Sequence, residues 1–352
     1  MISRWARLIS FCIFLVLVFL QACSTGSGAR PQVNVNSPAN INASSPTPLP
    51  TYTPTPAALG SQENPITLGL NASWNNQEQK LALDQMVLKL QQDLNLQFTY
   101  EYFAGYFELE QAILDGYVDI TFLGPIEYLI GNQKDLFTAG LVSTHAGVKS
   151  YGTQFFAHKD SKFQSFFDPT TNTSNANPAT ALRQFNGTKG CFISDNSLAG
   201  YWVPMGYLKS ANVPIQDPVF TQSSAASLRS LYIQGICQFA STYSSISDPR
   251  TASIVINDLP DIMDKVPVIW ASPPVIPNRA IFYSNALELP LQTKISEYLI
   301  QFSNTTEGRE LMSKALDYEI NGLSAVPDSF YDALRNLLDV QEIRLSDLLE
   351  LP

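Results

Sequence analysis

Glu110-Gln111-Ala112-Ile113-Leu114-Asp115-Gly116-Tyr117-Val118-Asp119-Ile120-Thr121-Phe122-Leu123-Gly124-Pro125 holds in one run a helix end, a stop, a strand and a strand-to-helix turn. Leu109, Ala112 and Ile113 fall on one helical face, and Gly116 stops the helix because glycine takes the left-handed conformation at little cost. Val118 to Phe122 is a short apolar run of strand character. In Leu123-Gly124-Pro125, the glycine permits close backbone approach and the proline suits a first helical position, where an N–H has no partner to lose.

Outward from this run the same alternation continues. Upstream, Pro65 to Leu70 is a short apolar strand; Leu83, Met86, Val87, Leu90 and Leu94 then follow at helical spacing; Leu96, Phe98, Tyr100 and Tyr102 alternate with polar residues. Helices alternating with short strands imply a parallel-type sheet covered on both faces. The rhythm restarts mid-chain: a strand at Thr188 to Ser194, a helix at Gly200 to Ser210, a strand at Pro218 to Gln222, a helix at Ala225 to Gln234 with Gly235 as its stop, and a strand at Ile236 to Ser241. Tyr232-Ile233-Gln234-Gly235-Ile236-Cys237-Gln238 repeats the pattern of Ile113 to Asp119, so two similar α/β lobes are predicted. A proline-rich crossing, Ser272 to Asn278, leads to a strand at Ala280 to Tyr283. Helical stripes follow at Leu291, Ile295, Tyr298, Leu299 and Phe302, at Leu311, Ala315 and Leu316, and at Phe330, Leu334, Leu337 and Leu338.

The amino terminus is of a different kind. Arg4 and Arg7 precede an apolar stretch from Phe11 to Leu20 that is too short for a bilayer, which takes about 20 apolar residues. Leu20-Gln21-Ala22-Cys23 resembles the bacterial lipobox, which implies acylation of Cys23 after removal of residues 1–22 as a signal peptide. More than one acyl chain, at about 0.8 kcal/mol per buried CH₂, makes a durable anchor. Residues 23–63 are rich in Ser, Thr, Pro and Asn and too poor in apolar surface to fold, so they read as a tether. The chain is thereby placed outside the cytoplasm, on a membrane surface.

Net charge is -10, from 31 acidic and 21 basic residues, which argues against nucleic acid and against direct adsorption to anionic lipid. It leaves room for an anionic small ligand, because a site's field is local. Of four cysteines, Cys12 leaves with the signal peptide and Cys23 takes lipid, so Cys191 and Cys237 are available to bond in an oxidising compartment. Closing that loop stabilises by about 4 kcal/mol in the chain-entropy model. His145 and His158 have no ligand-like spacing to either cysteine, and neither sits in a nucleophile–base pattern, so no metal, cofactor or catalytic residue is assigned.

Four passages resemble the phosphate-, phosphite- and phosphonate-binding proteins of ABC importers: Tyr106 with Glu110 to Pro125; Ser150-Tyr151; Phe185 to Gly190 leading into Ser194 to Tyr201 and Pro204; and Trp270 to Asn278. The resemblance implies a type II clamshell of two α/β lobes, each a mixed sheet flanked by helices, joined by two hinge crossings. Lobe 1 is then 64–150 with 275–352, and lobe 2 is 151–274. It also implies a monomer that hands its ligand to a permease and ATPase. Leu123, Gly124 and Pro125 from one lobe and Asn196, Ser197, Leu198, Ala199 and Gly200 from the other become the ligand-gripping turns, with Tyr106, Tyr128, Tyr151 and Tyr201 as walls. The chain departs from the family pattern in ways that bear on the ligand. Ser197-Leu198-Ala199-Gly200 replaces serine-threonine-serine-glycine, Ser223-Ser224 replaces a serine-histidine pair, Gln238 replaces a carboxylate, and Arg279 follows Asn278. Each lost donor to an anion is worth about 1.5–3 kcal/mol. Arg279 offers a guanidinium in compensation. A ligand-sensing subunit of a membrane receptor or kinase has the same sequence requirements, and a hydrolase and a non-binding adaptor that has lost its ligand grip are further alternatives.

Overall fold

The computed structural model describes residues 57–71 and 76–350. The signal peptide, Cys23 and most of the tether lie outside the described residues. Among these residues no helix is long and apolar enough to cross a membrane.

In chain order the elements are β1 (Ile66–Asn71), α1 (Gln77–Leu94), β2 (Phe98–Phe103), α2 (Tyr106–Leu114), β3 (Ile120–Leu123), α3 (Pro125–Gln133), β4 (Phe137–Thr144) and β5 (Ser150–Ala157). A small ribbon, β6 (Phe167–Asp168) and β7 (Thr173–Ser174), precedes α4 (Pro178–Leu182), β8 (Gly190–Phe192), α5 (Val203–Ser210), β9 (Val219–Phe220), α6 (Ser224–Ile233) and β10 (Phe239–Ser244). The chain continues through α7 (Ser253–Ile256), α8 (Ile262–Lys265), β11 (Val268–Ala271), β12 (Ile276–Pro277) and β13 (Ala280–Ser284). It closes with α9 (Leu289–Ser303), α10 (Thr306–Ala315), β14 (Gly322–Ala325), α11 (Asp332–Asp339) and α12 (Asp347–Glu350). Local sequence explains the boundaries: Asn76 and Gln79 form a capping box at the start of α1, and Asn95 ends that helix in the left-handed region.

Two sheets result. The first has the order β14-β4-β13-β3-β1-β2, and the second β11-β5-β10-β8-β9 with β12 also on β5. In each, three strands run parallel and the rest antiparallel, so the sheets are mixed. The alternation in the sequence reports only the parallel part. β4, β11 and β14 go unseen although each follows a helix, because they pair antiparallel with strands distant in sequence and carry no period-2 alternation. The predicted strand at Ile236 to Ser241 lies three residues later, at Phe239–Ser244, because Ile236 to Gln238 are spent on a turn, a cystine and a backbone cap. The predicted helix from Gly200 starts as a π-type turn, Leu198–Trp202, before α5.

Apolar faces decide the packing. Leu68, Leu83, Met86, Leu90, Ile295, Leu299 and Met312 bury one face of the first sheet under α1, α9 and α10, each contributing about 1.5–3 kcal/mol. Its other face, with Leu109, Leu129 and Phe137, is continuous through Tyr331, Leu334 and Leu337 with Phe155, Phe192, Phe239 and Trp270 of the second sheet. That continuity runs through α11. Tyr128 of α3 donates to Asp328 at 2.7 Å just before α11, and Gln341 just after it donates to the Trp202 carbonyl at 2.9 Å. Gly206 of α5 lies so close to α11 that a Cβ there would stand 2.4 Å from the Leu337 carbonyl oxygen.

Candidate functional site

Strand direction marks a candidate site. β4 leaves the first sheet, and β13 enters it, at the end where β1 and β3 finish; β5 enters the second sheet, and β11 leaves it, at the end where β8 and β10 finish. Both crossings therefore join the carboxyl ends of the two parallel sets, the place where open α/β sheets bind ligands.

On the first lobe this end carries Leu123, then Gly124 as the extended cap of α3 and Pro125 at its first position. On the second it carries Ser194 to Tyr201 and Ser223-Ser224. Ser197 Oγ accepts the Gly200 N–H at 3.1 Å, and Ser223 Oγ accepts the Ala226 N–H at 3.1 Å. Each serine thus caps a helical turn, and as a cap it accepts, which leaves its hydroxyl proton for donation. The N–H groups of Leu198 and Ala199, at the head of the π-type turn, are among those a helix start does not pair internally. Thr221 N–H bonds Phe192 O at 2.9 Å and Gln222 N–H bonds Ile193 O at 2.7 Å, which holds the two serine turns side by side. Asn196 is bonded by Ser194 Oγ at 2.6 Å, and half-buried Tyr201 packs edge-on against Phe192 and Phe220.

At the carboxyl end of the first sheet, beside the crossings, lies a charged cluster. Ala280 pairs with Leu123 in the antiparallel register, so Arg279 stands beside Gly124. Its guanidinium lies 5.9 Å from the Tyr318 ring centre, and its carbonyl accepts the Ser143 hydroxyl at 2.6 Å. Tyr151, the second residue of β5, pairs with Ile276 of the second crossing. Burial pushes its hydroxyl up to about 12, Tyr318 adding to the rise and Arg279 opposing it. Burial likewise raises the Glu127 carboxyl above the ordinary carboxylate range, against the backbone N–H groups of Glu127 and Gly124 and the charge of Arg279. Glu127, Tyr151, Arg279 and Tyr318 are all partly exposed.

Two predicted ligand residues lie elsewhere, and a third, Tyr106, is buried behind the cluster, near enough to feel the Glu127 charge. Tyr128 is fully buried, stacked 4.4 Å from Phe282. Tyr106 is 9% exposed, and its hydroxyl lies 3.1 Å from where a Cβ on Gly131 would stand, between α2 and α3. Gln238 sits at the opposite end of the second sheet, where its Oε1 accepts the Lys189 N–H at 2.7 Å. Glu127, Ser143 and Tyr318 are cluster residues the sequence reading missed. An acidic residue in the first turn after Gly-Pro was the available signal for Glu127.

Gln238 has a counterpart that carries a prediction. At the matching point of the first lobe, Asp119 Oδ2 accepts the Thr67 N–H at 2.8 Å. Burial raises the Asp119 carboxyl above its ordinary value near 3.8, the Thr67 bond opposing. A raised folded value means the folded state holds the proton more tightly, so this stability is present at low pH and lost as pH rises past 3.8 toward the folded value. Asp119→Asn, which keeps an oxygen acceptor, should therefore gain stability relative to wild type between about pH 4 and about pH 7. Denaturant midpoints at the two pH values check this, and an offset that does not change with pH rules it out.

The family profile described as "ABC transporter, phosphonate, periplasmic substrate-binding protein" matches residues 68–331. The chain belongs to this family of substrate-binding proteins. The role of this phosphonate-type binding protein is thus that of a transporter's substrate-binding component, built on two mixed sheets flanked by helices. No curated protein sequence matches the chain. Among solved structures, XAC2383 from Xanthomonas citri bound to ATP superposes with a TM-score of 0.54 at 14% identity over 81% of this chain and 98% of that one. The same protein bound to chloride gives 0.53 at 15% identity over 80% and 98%. PhnD1 from Prochlorococcus marinus in complex with methylphosphonate gives 0.47 at 12% over 79% and 98%. At 14–15% identity the likeness to XAC2383 is one of fold.

Proposed function

We propose that this protein is the lipid-anchored solute-binding component of an ABC importer, capturing a small anionic ligand between its lobes. Cys23 and the Ser/Thr/Pro tether hold it near a permease and ATPase, and the ligand is phosphate- or phosphonate-like. One observation carries the reading. Arg279, on a crossing between the lobes, stands beside the head of α3 and joins Tyr151 and Tyr318, at the sheet ends where the Ser197 and Ser223 turns also lie. A guanidinium there supplies the charge that the altered Ser197 to Gly200 turn lacks.

Calorimetric titration with phosphate, phosphite, methylphosphonate and, given the nucleotide held by the Xanthomonas neighbour, ATP tests this. At least one should bind, and Arg279→Ala should weaken it by roughly 10- to 100-fold, the worth of one charged hydrogen bond. An unchanged affinity in the variant would reject the placement. Ligand binding is expected to stabilise a closed form that the permease reads.

A further inference from the structure

We infer that tether residues 47–55 add an antiparallel strand to the free edge of β2, with the backbone of Thr51, Thr53 and Thr55 facing the sheet and the prolines facing water. The occupant is the protein's own chain, and the inference stands apart from what the cleft binds.

The first argument is the state of the edge. β2 closes one side of the first sheet with six residues, against four in β14 and β11 and two in β9 at the other edges. Those edges are short or covered. Along β11, Phe166 N–H donates to the Ile269 carbonyl and Ala271 N–H to Ser174 Oγ; on β14, Leu323 N–H donates to Ser303 Oγ. On β2, Ile66 N–H donates to the Gln97 carbonyl, so strand alternation turns Thr99, Glu101 and Phe103 toward β1 and the backbone groups of Phe98, Tyr100 and Tyr102 outward. Among the described residues, only the Gln91 amide reaches that outer row, at the Phe98 carbonyl. Phe-Thr-Tyr-Glu-Tyr-Phe has strong strand character, one charge and no proline, the kind of edge that proteins cover.

The second argument is proline spacing. In an edge strand, alternate N–H groups face the sheet and the rest face water, and proline fits only the second row. The prolines stand at 46, 48, 50, 54 and 56, all even positions, with Tyr52 the even residue between them. The odd row keeps every N–H and is threonine except at Leu49, and threonine favours strands. A segment too polar to build a core needs none here, because main-chain bonds hold an added strand. The outward prolines then bar any further strand.

The third argument is position. The Gly60 carbonyl accepts the Gln97 N–H at 2.8 Å, so the chain joins the folded part at the foot of β2. From the place of Gly60 to the outer side of β2 is two strand spacings, about 10 Å, and the residues from Thr55 to Gly60 reach up to roughly 16 Å. The tether runs toward that foot and β2 runs away from it, which makes the pairing antiparallel. With 47–55 docked, the free tether shortens to 24–46 and the domain hangs from the edge of β2.

Hydrogen exchange resolved to single amides, on the full lipidated chain in detergent, tests this by parity. In wild type the Tyr100 and Tyr102 amides should exchange at least about tenfold more slowly than unstructured ones, the worth of one to two backbone hydrogen bonds. Thr53→Pro should abolish that protection, whereas Tyr52→Pro, one residue away, should change it by about twofold or less. Thr53→Ala keeps the N–H and should stay protected, and the amides of β3 in the same sheet serve as the standard for an intact fold. Unprotected Tyr100 and Tyr102 amides in wild type overturn the inference whatever the variants do. Equal effects of proline at 52 and 53 also overturn it. Protection that grows with protein concentration and survives in Thr53→Pro would give the edge to a second copy of the chain and overturn it as well.

Discussion

Replacing Cys191 and Cys237 together by alanine should lower the free energy of unfolding by about 4 kcal/mol. The two sulfurs are bonded across a separation of 46 residues, and chain-entropy reasoning makes the closure of a loop of that size worth this amount. Alanine is the right replacement because both positions are buried in an apolar cluster with Leu228, Leu231 and Ala240, where a serine hydroxyl would need a partner. The bond joins β8 to the segment just before β10, so the loss falls on the second lobe. Urea denaturation of wild type, reduced wild type and the double variant checks this. Reduction and substitution should shift the midpoint to a similar degree, and a loss under about 1 kcal/mol would mean that loop closure contributes little here.

Trp270→Ala should cost about 3–5 kcal/mol, at the upper end for single core truncations. Trp270 is 2% exposed on β11, 6.0 Å from Phe155 and 5.0 Å from Tyr207 between ring centres, and its indole N–H donates to the Ala176 carbonyl at 2.9 Å. Truncation leaves a cavity and an unsatisfied buried carbonyl at once. Trp270→Phe separates the two terms, because it refills most of the cavity but not the hydrogen bond. That variant should lose roughly 1–3 kcal/mol, and a loss as large as alanine's would place the energy in the hydrogen bond. The residue lies two positions before the second crossing, so its loss should also loosen that hinge.

The fold was legible where period and punctuation agree. Glu110 to Pro125 reads correctly as helix, stop, strand and helix head because Gly116, Gly124 and Pro125 each carry a conformational demand that sequence alone reveals. β4 and β14 were not legible: each follows a helix, but their antiparallel partners lie far away in sequence and neither shows a clean alternation of buried and exposed residues. The site was legible at the level of turns and not of side chains. Tyr128 and Glu127 are neighbours on α3, about 100° apart around the helix, and that rotation alone sends one ring to the core and the other residue's carboxylate to the helix head. Family likeness put weight on the tyrosine. Gln238 misled for a related reason: a polar residue at a strand's beginning and one at its end look alike in sequence, but they stand at opposite ends of the sheet.

The position of β13 between β3 and β4 bears on how the molecule assembles as it emerges from a ribosome or translocon. Every strand of the second sheet lies between Ser150 and Pro277, one uninterrupted stretch, whereas the first sheet lacks the strand that joins β3 to β4 until Ala280–Ser284 is out. The earlier-made lobe must therefore wait for the later one. During that interval β3 and β4 each present an unpaired edge, a hazard for pairing with other chains. The lobe bearing Glu127 is then completed last, and only on a partner that carries its own cystine and can already be folded.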